Sequence, residues 1–163
     1  MDNLKNDFYI LRDKRVTYSR TGGGASSILL IKFENDCALW AWRYWEISKG
    51  DDLIACSEDD ATAITGVMAM AAHQLEGTVL KNLYLNETTY QLGMLFDNGF
   101  ELWFYPELEE CEDFKNVINW EYQIPTKNLC YVLTSQLKIK TENYYELKFP
   151  TLKEYIINCL SRI

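Results

Sequence analysis

This sequence predicts an α+β fold, mostly antiparallel β-sheet, built from two repeated β-meander halves with a helix after each half. Three observations predict it. FENDCALWAW (Phe33–Trp42) recurs as FDNGFELWFY (Phe96–Tyr105) at an offset of 63 residues, so one strand–turn–strand unit occurs twice. Asn98-Gly99 stands between two apolar runs, and these residues tolerate the positive φ that a tight hairpin needs. Two other stretches carry apolar residues at three- and four-residue steps, the spacing of a helix with one buried face.

The elements follow in order. Ser26–Phe33 (SSILLIKF) is β-branched and nearly continuously apolar, as a strand covered on both faces would be. Glu34-Asn35-Asp36 turns the chain into CALWAW, as Asp97-Asn98-Gly99 turns TYQLGMLF into FELWFY. Trp45-Glu46 is then mirrored by Trp120-Glu121 at an offset of 75, so the second half carries about twelve extra residues, PELEECEDFKNV, over Pro106–Val117. LIACS (Leu53–Ser57) corresponds loosely to LCYVL (Leu129–Leu133), giving each half about four strands.

Ser57-Glu58-Asp59-Asp60 reads as a helix start, with a cap and acidic groups where free N–H groups favour them. Ala61, Ile64, Met68, Ala72 and Leu75 then form one apolar stripe, and Gly77 stops the helix. SQLKIK and YYELKF alternate about Thr141–Asn143 like a last hairpin. After Pro150, Thr151 to Glu154 is a capping box with Leu152, Tyr155, Ile156, Cys159 and Ile163 as its buried stripe. No linker rich in Pro, Gly or Ser separates the halves, roughly 26–75 and 78–163. One compact domain over 1–163 is expected.

Composition bounds the function. At 48% apolar and 14% aromatic, the 163 residues can bury a substantial interior. The net charge of −8 argues against direct nucleic-acid binding, which needs a basic footprint, and suits a cationic protein partner. Cys37, Cys56, Cys111, Cys130 and Cys159 are odd in number, widely spaced and accompanied by one histidine, so neither a metal site nor a disulfide framework is expected. No signal peptide or membrane-length run is evident, so a cytoplasmic protein without membrane contact is expected.

Catalytic motifs are sparse. Gly22-Gly23-Gly24 lacks the Lys-Ser/Thr pair of a phosphate loop and leads into a strand. His73 falls opposite the helix's apolar stripe, the position of a solvated histidine, and no nucleophile motif accompanies it. Glu46 and Glu121, each after a repeated tryptophan, could flank a substrate as a glycosidase pair does, or could be surface residues beside core tryptophans. No catalytic residue and no cofactor is assigned.

The candidate partner-binding residues are therefore carboxylates and rings. The insertion holds Glu107, Glu109, Glu110, Glu112 and Asp113, and insertions on rigid scaffolds often carry recognition. Alternation along a strand places Trp103 and Tyr105 on one face and Phe100, Leu102 and Phe104 on the other; Trp40 and Trp42 repeat this against Cys37, Leu39 and Ala41. Two outcomes are open for the ring face: the helices cover it, or it is an exposed patch of interface anchors.

The unit F-x-N/D-G-x-x-L, a following W-x-I/L strand and L-x-G-x-V, here Leu75-Glu76-Gly77-Thr78-Val79, resemble those of small bacterial immunity proteins of polymorphic-toxin and contact-inhibition systems. The resemblance runs over about Ile28–Thr134, with Asp36 where its pattern has Gly. It implies a small, acidic, non-enzymatic inhibitor that neutralises a cognate toxin; a monomer or weak homodimer is expected. It carries over no contact residues, because such contacts vary between pairs. A phage-encoded acidic antagonist of a defence nuclease and a small hydrolase using the paired carboxylates are the alternatives.

Overall fold

The computed structural model describes residues 2–111 and 117–144. They form two antiparallel sheets and two α-helices. Helix α1 (Asp2–Tyr9) precedes strands β1 (Val16–Arg20), β2 (Leu29–Phe33), β3 (Ala38–Ala41), β4 (Trp45–Lys49) and β5 (Asp52–Cys56). Helix α2 (Val67–His73) precedes β6 (Leu80–Leu85), β7 (Leu92–Phe96), β8 (Phe100–Phe104), β9 (Ile118–Ile124), β10 (Leu129–Thr134) and β11 (Ile139–Glu142). The first sheet has the order β1-β2-β3-β9-β10-β11 and the second β5-β4-β8-β7-β6.

The repeated hairpins are β2–β3 and β7–β8, one in each sheet. Their turns share geometry. Asp36 takes φ 62° where Gly99 takes φ 81°. The Asn35 side chain accepts a bond from the Cys37 N–H at 3.4 Å, and the Asn98 side chain one from the Phe100 N–H at 3.1 Å. The aspartate thus does the glycine's conformational work, which short polar side chains tolerate better than most.

The chain does not finish a meander in either half. After β3 it crosses to the second sheet as β4, which pairs with β8; after β8 it crosses back as β9, which pairs with β3. Each three-stranded run is therefore extended by strands from the other half. Two buried tryptophans tie these crossings: Trp45 Nε1 donates to the Ser27 carbonyl at 2.7 Å, and Trp120 Nε1 to the Tyr90 carbonyl at 3.1 Å. Alternate residues of both sheets, including Leu29, Ile31, Leu39, Trp120 and Tyr122 from one and Trp45, Ile47, Met94, Leu102 and Phe104 from the other, fill one core.

The helices depart from expectation. Helix α1 was not signalled by its short polar sequence, yet Leu4 and Phe8 are buried. Phe8 stacks on Tyr122 with centroids 4.4 Å apart and meets Trp120 edge-on at 5.7 Å. Asp7, 6% exposed, holds the helix end: its carboxylate pairs with Lys127 and accepts from Tyr131 Oη at 2.7 Å, and its carbonyl accepts from Tyr122 Oη at 2.8 Å. Helix α2 begins only after Gly66, not at Ser57. Asp59 instead accepts from the Cys56 N–H at 2.7 Å and Asp60 from the Thr62 N–H at 2.9 Å, side-chain bonds that favour turns over helix. Met68, Ala72 and Leu75 are buried as expected, but Ile64 is 61% exposed, at φ 68°.

At the far end, β11 pairs with β10 through a turn at Ser135–Lys138, with Leu137 at φ 53°. Thr141 lies inside that strand instead of in a turn. Most of Tyr144–Phe149 and the expected helix after Pro150 lie outside the described residues. The glycine run forms a short 3-10 turn whose Gly23 N–H donates to the Ala61 carbonyl at 2.6 Å, so it docks a neighbouring loop. Among the described residues no helix is long and apolar enough to cross a membrane.

Candidate functional site

Parity along the strands sets the site. In the second sheet Trp45, Ile47, Leu92, Met94, Leu102 and Phe104 face the core. The residues between them therefore face outward. Register aligns these in rows: Tyr84, Gly93, Trp103, Glu46 and Cys56 lie side by side across all five strands, and Asn82, Leu95, Glu101 and Ser48 form the next row.

Gly93 makes the first row distinctive. A Cβ there would meet Trp103 Cζ3 at 2.4 Å, so the indole lies directly on the glycine. Trp103 Nε1 donates to Glu101 Oε2 at 2.9 Å, which fixes the ring's orientation. Tyr84 leans toward it with centroids 5.9 Å apart and planes at 55°. Trp103 to Tyr105 spans 6.5 Å, and Tyr105 to Tyr44 spans 5.8 Å, so four rings run in sequence across the face. Tyr84 is 51% exposed, and Trp103, Tyr105 and Tyr44 are half-buried. Tyr84, Gly93, Trp103, Glu101, Asn82 and Leu95 line an open pocket of about 220 Å³.

Carboxylates punctuate the strip. Tyr44 Oη donates to Glu46 Oε1 at 2.8 Å, and that bond holds the phenol protonated well above its ordinary range. Burial, and after it Glu46, raises Tyr105 in the same direction.

The equivalent face of the first sheet differs. Trp40 is 1% exposed, packed with Ala25, Leu30 and Ala38 and rimmed by Tyr18, Ile28 and Trp42. Trp42 is half-buried and stacks on Trp40 at 5.7 Å. Trp40 is thus a packing residue and not an exposed anchor. Two substitutions at the repeat offset separate the copies: Leu30 stands beside Trp40 where Gly93 lies beside Trp103, and Ala38 occupies the place of Glu101.

The paired glutamates do not converge. Glu46 is in the row of Trp103 on the outer face of the second sheet, whereas Glu121 is beside Trp40 on the outer face of the first and is 2% exposed. The core lies between them, so they cannot flank one substrate. His73 is exposed on α2, with Nδ1 3.1 Å from Glu76 and 3.0 Å from Arg20.

The acidic insertion follows Tyr105 directly. Glu107 and Glu109 sit 3.4 and 3.7 Å from Arg43, a partner the sequence did not signal. The Glu107 N–H donates to the Asn119 side chain at 2.9 Å, and the Glu109 N–H to the Ser135 carbonyl at 2.8 Å. Glu110 is exposed, and Glu112 and Asp113 lie outside the described residues. Of the residues expected from sequence, Trp103, Tyr105 and the start of the acidic loop come together. Tyr84, Gly93, Glu101 and Tyr44 were missed, because cross-strand register has no local signal. No family model matches the chain, and comparison with curated proteins and with solved structures gives no match.

Proposed function

We propose that this chain is a non-catalytic protein-binding inhibitor, an immunity protein that neutralises a cognate bacterial toxin in the cytoplasm. One observation carries the reading: a continuous strip of half-exposed rings, interleaved with Glu46 and Glu101, runs along the outer face of the second sheet and on into the acidic loop. Trp and Tyr anchor interfaces because they bury much area at small entropic cost, and flanking carboxylates accelerate encounter with a cationic partner. The acidic balance and the resemblance support the same reading. The recognition surface is assigned to Tyr84, Trp103, Tyr105 and Tyr44 with Glu101 and Glu110; Trp40 is left out because it is buried.

Co-expression tests it. The product of the neighbouring reading frame is expected to arrest growth alone and to be tolerated beside this chain. Toxicity unaffected by the chain, or turnover of a substrate by the pure protein, would overturn the proposal.

A further inference from the structure

The notch between Tyr84 and Trp103 is the most specific feature of the face. We infer that it receives an arginine side chain of the partner, stacked on the Trp103 indole and paired with Glu101. This rests on the protein-binding reading above and names the chemistry of its central contact.

Four observations lead there. First, Gly93 lets the indole lie on the sheet, and Tyr84 opens from it at 55°, so two rings and the neighbouring strand residues line the gap. A planar guanidinium stacks on such a ring better than a compact ammonium does. Second, the Glu101 carboxylate uses Oε2 for the indole N–H and makes no other side-chain hydrogen bond among the described residues, which leaves Oε1 for a charge-assisted bond. Third, the chain places its own cations over other rings: Arg20 and Lys32 lie over Tyr18 at 5.1 and 5.6 Å, and Lys49 over Phe100 at 5.0 Å. Among the described residues none lies over Tyr84, Trp103, Tyr105 or Tyr44. Fourth, Gly93 and Glu101 are where the second copy departs from Leu30 and Ala38 of the first, so the notch and its charge occur together on one face only. The net charge of −8 matches a cationic occupant.

The test is an amide and indole NMR titration of the full chain at low salt. The probes are acetyl-tetraarginine amide and its uncharged isostere, acetyl-tetracitrulline amide. The Trp103 indole N–H and Gly93 amide are expected to shift saturably with arginine and at least fivefold more weakly with citrulline. Glu101→Gln keeps an acceptor for the indole and removes the charge, and is expected to weaken arginine binding at least fivefold; Trp103→Ala is expected to abolish it. Equal binding of citrulline, shifts confined to Glu107–Glu110, no shift at all, or tighter binding of a neutral cellooligosaccharide at the same residues would each overturn the inference. A failed titration leaves the inhibitor proposal standing, because that proposal fails separately in the co-expression experiment.

Discussion

Gly93→Ala separates the site from the fold. The added Cβ would lie 2.4, 2.6 and 2.7 Å from Trp103 Cζ3, Cη2 and Cε3, against an ordinary carbon contact of about 3.5–4 Å. The ring must therefore withdraw by about 1 Å. That strains or breaks its bond to Glu101, worth about 1 kcal/mol at this half-exposed position. Against the loss stands a gain of about 0.5–1 kcal/mol for replacing glycine within a strand. The two nearly cancel. Urea unfolding followed by circular dichroism should place the variant within about 1 kcal/mol of the parent. The Trp103 indole resonance should move, and arginine-peptide affinity should fall at least fivefold. An unmoved resonance would refute the seating of Trp103 on Gly93. A stability loss above about 3 kcal/mol would show that the ring holds the fold together and is not displayed for recognition.

Other outcomes follow from the buried polar groups and the turns. Asp7→Ala strands the Tyr131 hydroxyl and removes the Lys127 partner, so it should cost about 2–4 kcal/mol in urea unfolding, and a loss under about 0.5 kcal/mol would contradict the role given to Asp7. Burial raises Tyr18, Tyr122 and Tyr131 above the ordinary phenol range. Above about pH 10 the unfolded chain then loses protons that the folded one keeps, so stability is intact below that pH and falls as pH rises beyond it. Tyr122→Phe should flatten this fall, as a pH series of melting curves would reveal. Ile64→Gly and Asp36→Gly each replace a residue held at positive φ and should raise stability by about 0.5–1 kcal/mol. A loss at either site would mean that its side chain contributes more than its backbone strain costs.

Much of the fold could be read from local pattern. Asn98-Gly99 marked a hairpin, Asp36 stood in a turn of the same shape, and alternation around Leu102 and Trp103 sorted inward from outward residues correctly. What local pattern cannot encode is which sheet a strand joins, and so the exchange of β4 and β9 between sheets was invisible. Helix α2 came out shorter than its periodicity implied because Asp59 and Asp60 spend their carboxylates on nearby N–H groups. The site was half legible. Trp40 and Trp103 occupy matching contexts in sequence, yet one is buried and the other displayed, and the difference lies with neighbours across the strand, Leu30 and Gly93. Tyr84 joins the rings only through the register of β6 on β7.

The most direct measurement is calorimetric titration of the full chain with the protein encoded beside it, comparing the parent with Trp103→Ala and Tyr84→Ala. A central anchor is worth about 2 kcal/mol or more, so each variant should bind about thirtyfold more weakly or worse while melting near the parent temperature. Affinity unchanged by both substitutions would contradict the assignment of recognition to this face.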